Sequence, residues 1–321
     1  MNNPIKSSEN PIAAILAEYP VLVLDGAMAT ELERHGCDLD DPLWSARVLL
    51  EQPEKIRRVH EEYFRAGADC AITASYQATV EGFAAKEIGE EQALELIRNT
   101  VKLAAEARDQ VWAEVQREGR PKPIVAGSVG PYGAFLADGS EYIGHYGVDD
   151  QRLTDFHRPR VQALIEAGAD ILACETIPSL QEALVLAELL KNEFPEAFAW
   201  MSFSLQDGGR ISEGTSLKEC ARALEGYEEI AAIGVNCAPA SFATEAIKQL
   251  AAYTDKPLLI YPNSGETYEA STKTWHAGES RSCSDFAQSA RAWHEAGARL
   301  IGGCCRTTPE QIAQVSALWR S

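Results

Sequence analysis

Near its C-terminus the chain reads LIGGCCRTTP (300–309): two apolar residues, two glycines, two adjacent cysteines and an arginine. Successive residues of a strand point to opposite faces, so neighbouring thiols reach one point only where the backbone turns. Gly302 and Gly303 offer such a turn, because glycine accepts backbone angles closed to other residues. A vicinal disulfide is one outcome, but a strained one. A soft cation that draws both sulfurs together is more economical, and zinc accepts sulfur ligands in tetrahedral geometry. Cys237, which closes the run AIGVNC (232–237), supplies a third ligand. Three protein ligands leave a fourth position open, as in catalytic rather than structural zinc sites. No CxxC is present, so neither a zinc ribbon nor a dithiol redox motif is supported. The histidines form no pair at ligand spacing, and His60 and His294 sit in helical patterns as surface or packing residues.

Three thiolates outweigh the charge of one divalent zinc. Such an ion is a poor Lewis acid for splitting water but suits a fourth thiol, which loses its proton on coordination. The bound sulfur stays electron-rich and nucleophilic. Its attack on a cationic methyl donor would annihilate charge, which a dry pocket favours. The cysteines therefore predict thiol alkylation.

Elements must bring these residues together. Eight β-rich runs are visible: 21–25, 70–73, 124–129, 170–175, 199–204, 232–237, 258–263 and 299–304. Helix-like segments alternate with them, and three end in RAGAD, EAGAD or EAGAR, a glycine stop leading straight into a strand. Strand–helix alternation implies parallel strands, and eight units predict a (β/α)8 TIM barrel of one domain over 1–321, with 1–18 as an N-terminal extension or helix. An open doubly wound sheet usually has fewer strands, and no GxGxxG follows the first run. At or beside the run ends stand Asp25, Thr73, Ser128, Glu175, Ser202 or Ser204, Cys237, Asn263, and Cys304 with Cys305. In a barrel these ends share one face, the face that carries chemistry. Solvent exposure of strand ends accounts for the serines but less well for two acids and three cysteines. Two long connections, 131–154 and 264–284, would hang over the same face.

The 321 residues carry a net charge of −19, which repels a phosphate backbone and sets nucleic acid aside as a partner. No apolar run approaches the roughly 20 residues of a membrane helix, and the N-terminus shows no signal peptide. A cytoplasmic protein is expected, with reduced thiols. Cys70 and Cys174 lie inside apolar runs as core residues. A monomer is expected.

GVNC (234–237), GGCC (302–305) and DGAMATEL (25–32) resemble the homocysteine S-methyltransferases, which share a barrel with betaine–homocysteine methyltransferase and the homocysteine domain of cobalamin-dependent methionine synthase. GSVGPYGA (127–134), ADGSEY (137–142), ETIPS (175–179) and YPNSGE (261–266) extend the resemblance from Asp25 to Pro309. The closest likeness is to the bacterial and plant branch that uses S-methylmethionine. The resemblance implies zinc on Cys237, Cys304 and Cys305, with the homocysteine amino group near Asp25 and Glu175. It places the carboxylate near the Gly26 backbone and the Thr73 hydroxyl, with Tyr76 and Asn236 lining the site. Asp25 could otherwise be a turn residue before Gly26, and Glu175 a salt-bridge partner at the core edge. Several relatives have a second glycine where this chain has Ala27, which bears on the local backbone path. The loop aromatics Tyr132, Phe135, Tyr142, Tyr146, Tyr268 and Trp275 either anchor their loops or face a sulfonium donor by cation–π attraction. Partners implied are L-homocysteine and S-methylmethionine or S-adenosylmethionine. The alternatives are a non-catalytic zinc- or thiol-binding barrel, and a homocysteine-binding module serving a separate corrinoid protein. Only about a dozen residues follow the resemblance, so no cobalamin domain is expected after it.

Overall fold

The computed structural model describes residues 9–39, 44–115, 119–265, 267–269, 274–276 and 283–320. Eight parallel strands form one sheet: β1 (Leu22–Val23), β2 (Cys70–Ile72), β3 (Ile124–Val129), β4 (Ile171–Ile177), β5 (Ala199–Phe203), β6 (Ile230–Asn236), β7 (Leu258–Tyr261) and β8 (Ala298–Ile301). Each strand pairs with its chain neighbour, β8 pairs with β1, and a parallel bridge between Leu24 and Cys70 joins β1 to β2. The sheet is therefore a closed (β/α)8 barrel, and every run expected from the sequence overlaps a strand. β7 stops at Tyr261 because Pro262 has no N–H to donate to the ladder.

Alternation along the strands sorts the core into two layers. Leu22, Leu24, Ala173, Trp200, Leu259, Tyr261 and Leu300 belong to one buried cluster, while Val23, Leu172, Cys174, Met201, Ile260 and Ile301 belong to the other, with the outer helices. A strand buried on both faces reads as a continuous apolar run, as these do. Helix α1 (Pro11–Glu18) starts where the Asn10 side chain accepts the Ile12 and Ala13 N–H groups. Its Ile12 and Ile15 pack with the interior cluster. The three glycine stops all adopt positive φ: Gly67 at 101°, Gly168 at 91° and Gly297 at 121°. Among the described residues, no helix is long and apolar enough to cross a membrane.

Candidate functional site

The C-terminal ends of β6 and β8 bring three thiols together. The sulfurs of Cys237, Cys304 and Cys305 lie within 4.8 Å of one another, with Cys237 Sγ 3.6 Å from Cys305 Sγ. A tetrahedral ion with metal–sulfur bonds of about 2.3 Å places its sulfurs about 3.8 Å apart, so the cluster fits a soft cation. The neighbouring S–H groups of Cys304 and Cys305 hold the Cys237 thiol well below the usual range, while Cys304 and Cys305 are raised. One thiolate is thus already favoured, and a metal would displace the remaining protons.

The glycines before the cysteines serve a purpose other than the expected turn. Neither Gly302 nor Gly303 has positive φ. They lie where a Cβ has no room: at Gly302 it would meet Leu24 Cβ at 2.5 Å, and at Gly303 it would meet Thr307 Oγ1 at 2.3 Å. Close approach lets their N–H groups, with that of Cys304, bond the carbonyls of Ile260, Asp25 and Pro262 at 3.1, 3.0 and 2.8 Å. The backbone strain sits instead on Cys237 (φ 49°), Arg306 (φ 66°) and Thr176 (φ 60°), all lining the cavity. A non-glycine residue held this way costs about 1–3 kcal/mol, and such strain gathers at functional sites.

A cavity of about 340 Å³ opens beside the thiols, and Asp25, Gly26, Thr73, Tyr76 and Glu175 line it with them. Asp25 and Glu175 are buried, and neither makes an ion pair among the described residues. Asp25 Oδ2 accepts the Ile72 N–H at 2.9 Å. Glu175 Oε1 accepts the Ser128 hydroxyl at 2.5 Å, and the Tyr261 hydroxyl also bonds this carboxylate. Burial pushes Asp25 well above the usual carboxylate range and Glu175 up to about 7, against those hydrogen bonds. Neither acid is the turn residue or salt-bridge partner that the sequence left open. Two buried acids without a cationic partner are groups that a bound cation would stabilise.

Gly26 is also a close-approach glycine: a Cβ there would meet Thr307 Oγ1 at 2.7 Å and the Tyr63 hydroxyl at 2.9 Å. Ala27 takes ordinary extended angles (φ −68°, ψ 110°), so its methyl group is accommodated without strain. The Thr73 hydroxyl is locked: it accepts the Ser128 N–H at 2.9 Å and lies 2.7 Å from Ser75 Oγ. Because Ser75 donates its own hydrogen to the Ser128 carbonyl, the Thr73 hydrogen is directed to Ser75. Asn236 departs from its expected place, since it does not line the cavity. Its Oδ1 accepts the Thr176 N–H at 2.8 Å and the Ser202 hydroxyl at 2.7 Å, and its Nδ2 donates to Thr176 Oγ1 at 2.8 Å. This clasp holds Thr176 in its left-handed conformation beside Glu175.

The loop aromatics divide. Tyr132, Phe135 and Tyr146 pack around Phe156 or one another and anchor the first long connection. Tyr142 enters the cavity, with its hydroxyl 3.4 Å from Cys237 Sγ. The Tyr268 and Trp275 side chains, and most of 264–284, lie outside the described residues. The anchoring depends on a buried network with no sequence signature. Glu182, on the helix Leu180–Glu193, accepts the Tyr132 N–H at 2.6 Å, the Tyr146 hydroxyl at 3.1 Å and His157 Nε2–H at 2.9 Å. His157 Nδ1 in turn accepts from Arg160, whose guanidinium bonds the Tyr76 and Gly130 carbonyls at 3.1 and 2.6 Å. Thus Tyr76 reaches the cavity on a turn fixed from the helix Asp150–Glu166.

Fold and site define a (β/α)8-barrel enzyme with a thiol-lined mouth. The family model described as Homocysteine S-methyltransferase matches residues 22–319. The Homocysteine S-methyltransferase YbgG of Bacillus subtilis is 58% identical over 314 residues, covering 97% of this chain and 98% of the relative. The Homocysteine S-methyltransferase of Escherichia coli is 53% identical over 97% of this chain and 99% of its own length. The metallated crystal form of the homocysteine methyltransferase MmuM from Escherichia coli superposes with a TM-score of 0.87 at 50% identity, covering 96% of this chain and 100% of that one. The chain belongs to the homocysteine S-methyltransferase family and is a methyltransferase.

Proposed function

We infer that the protein transfers a methyl group from S-methylmethionine, and more slowly from S-adenosylmethionine, to the thiol of L-homocysteine, giving methionine. The observation that carries this reading is the trio Cys237, Cys304 and Cys305 converging beside a cavity that also holds two unpaired buried acids. Three soft sulfur donors suit zinc, which when bound would lower the pKa of a fourth thiol and hold it as a nucleophile. A metallated form of the related MmuM supports a metal here.

The chain's own residues bind and orient. Asp25 and Glu175 take the homocysteine ammonium, which supplies the cation their burial lacks. The Gly26 backbone, which lines the cavity beside Thr73, takes the carboxylate. Tyr76 and Tyr142 wall the thiol off from solvent. A carbon–sulfur bond forms to the homocysteine sulfur as one methyl–sulfur bond of the sulfonium breaks. The electron pair stays on the departing thioether, and the thiol proton leaves to solvent. The donor's positive charge and the thiolate's negative charge both vanish, which the cavity's partial exclusion of water favours.

A donor comparison tests the reading. The kcat/KM at fixed homocysteine should fall in the order S-methylmethionine, then S-adenosylmethionine, with betaine and methyltetrahydrofolate inactive. Betaine as the best donor would contradict the donor assignment.

A further inference from the structure

The cavity carries a second set of charges. Four of its lining residues are ionic: Asp25, Glu175, Glu33 and Arg306. The first two are the buried acids already described. The others stand further out, Glu33 exposed and Arg306 half-buried. They have opposite signs, as a recogniser of a zwitterion requires.

Their places in the barrel are adjacent. Arg306 follows β8, Glu33 lies on α2 (Met28–Arg34) after β1, and Gln77 follows β2. The strands β8, β1 and β2 are consecutive around the barrel. One sector of the mouth therefore presents a guanidinium, a carboxylate and an amide, starting directly after the thiols of Cys304 and Cys305. Thr30 and Glu33, three residues apart on α2, share a helix face, and both line the cavity. Gln77 adds an independent observation: its Oε1 is buried without a hydrogen-bond partner, although the residue lines the cavity. A buried acceptor left unmade costs free energy that a ligand N–H would recover. Arg306 reaches its place from a left-handed backbone (φ 66°) that arginine takes only at a cost.

We propose that this sector is the methyl-donor subsite, in which Glu33 and Gln77 bind the donor's α-ammonium and Arg306 its α-carboxylate. The proposal rests on the sulfonium reading above and names the residues that select the donor. S-methylmethionine and S-adenosylmethionine share the α-amino-acid end that this sector fits. Betaine has a carboxylate but no ammonium N–H to give Glu33 or Gln77. The subsite therefore accounts for donor choice in terms separate from the homocysteine contacts.

Three donors read each contact separately: S-methylmethionine, its deaminated form 4-(dimethylsulfonio)butyrate, and its decarboxylated form (3-aminopropyl)dimethylsulfonium. Each is tested with the zinc-loaded wild type, Glu33→Gln and Arg306→Met, with thermal melts confirming folding. With the wild type, each truncation should lower kcat/KM about tenfold to a hundredfold, the range of one charge-assisted contact. Glu33→Gln should lose a similar factor with S-methylmethionine and with the decarboxylated donor, but little with the deaminated one. Arg306→Met should lose it with the deaminated donor, but little with the decarboxylated one. Equilibrium binding of S-methylmethionine should weaken in parallel, while zinc content and the homocysteine KM hold. Equal losses on all three donors, or losses confined to the homocysteine KM, would overturn the subsite. If the wild type turns over none of the sulfonium donors, the underlying reading fails instead. Turnover with indifference to truncation sinks the subsite alone.

Discussion

The two ends of the barrel treat buried acids in opposite ways. At the N-terminal end Asp69 is fully buried, and burial lifts its carboxyl, but the nearby Arg320 and Arg120 pull it back. It accepts the Val23 N–H at 2.9 Å and pairs with Arg320, which also holds the Val21 carbonyl at 2.7 Å. The segment after the last helix (Pro309–Ser316) is thereby fastened to β1. At the C-terminal end Asp25 and Glu175 are as well buried, yet hydroxyls and N–H groups are their partners, and no guanidinium opposes the burial. One end uses its charges to hold the chain together, whereas the other keeps two buried carboxyls with no cationic partner among the described residues. A barrel can do this because its helices and strands carry stability while the turns after the strands are free to be strained.

The contrast can be broken most severely at the thiols. Cys237→Ser, Cys304→Ser or Cys305→Ser should each abolish turnover and lower bound zinc well below one per chain, with circular dichroism unchanged. Full zinc and full turnover in all three would remove the cluster from the chemistry. At the other end, Asp69→Ala strands Arg320 and should destabilise the fold by about 3–5 kcal/mol, the cost of halving a buried ion pair. Its kcat/KM below the melting range should stay near that of the wild type; a catalytic loss at normal stability would blur the division between the two ends. Glu175→Gln should do the reverse. It would remove the proposed charge-assisted contact with the substrate ammonium, worth about 1.5–3 kcal/mol, or about tenfold to over a hundredfold in kcat/KM for homocysteine. Because it also removes an unpaired buried carboxyl, its melting temperature should hold or rise.

A smaller effect follows from acidity. The ionised form of Glu175 attracts an ammonium, and burial puts its carboxyl at about 7, so the competent form grows as pH rises. The homocysteine KM should fall by about tenfold from about pH 6 to about pH 8, and Glu175→Gln should flatten this limb. The stability sign is opposite. A carboxyl raised in the folded state stabilises the fold below its ordinary range, and that contribution is lost as pH rises through about 7. A KM that rises with pH over this range would contradict the role given to Glu175.

Much of this was legible in the sequence, where a local signal existed. The strand runs, the glycine stops at Gly67, Gly168 and Gly297, and the thiols at two run ends all report on their own segment. The rest depends on contacts between distant segments. Gly26 is glycine because of Thr307, about 280 residues away, and Gly302 because of Leu24. The sequence offers Gly302 and Gly303 as flexible, when the neighbouring chain excludes a Cβ. Asn236 adjoins Cys237 and so suggests a pocket residue, but its amide is consumed by Thr176 and Ser202. The Glu182–His157–Arg160 network has no motif spacing, because its members come from two helices that meet only in the folded barrel.

The central claim is that three cysteines hold a zinc whose remaining position receives the homocysteine sulfur. X-ray absorption at the zinc edge of the purified protein tests this directly. Before substrate it should show three sulfur neighbours at about 2.3 Å, and after addition of homocysteine four. Four protein sulfurs at the start, or a spectrum unchanged by homocysteine, would contradict the account.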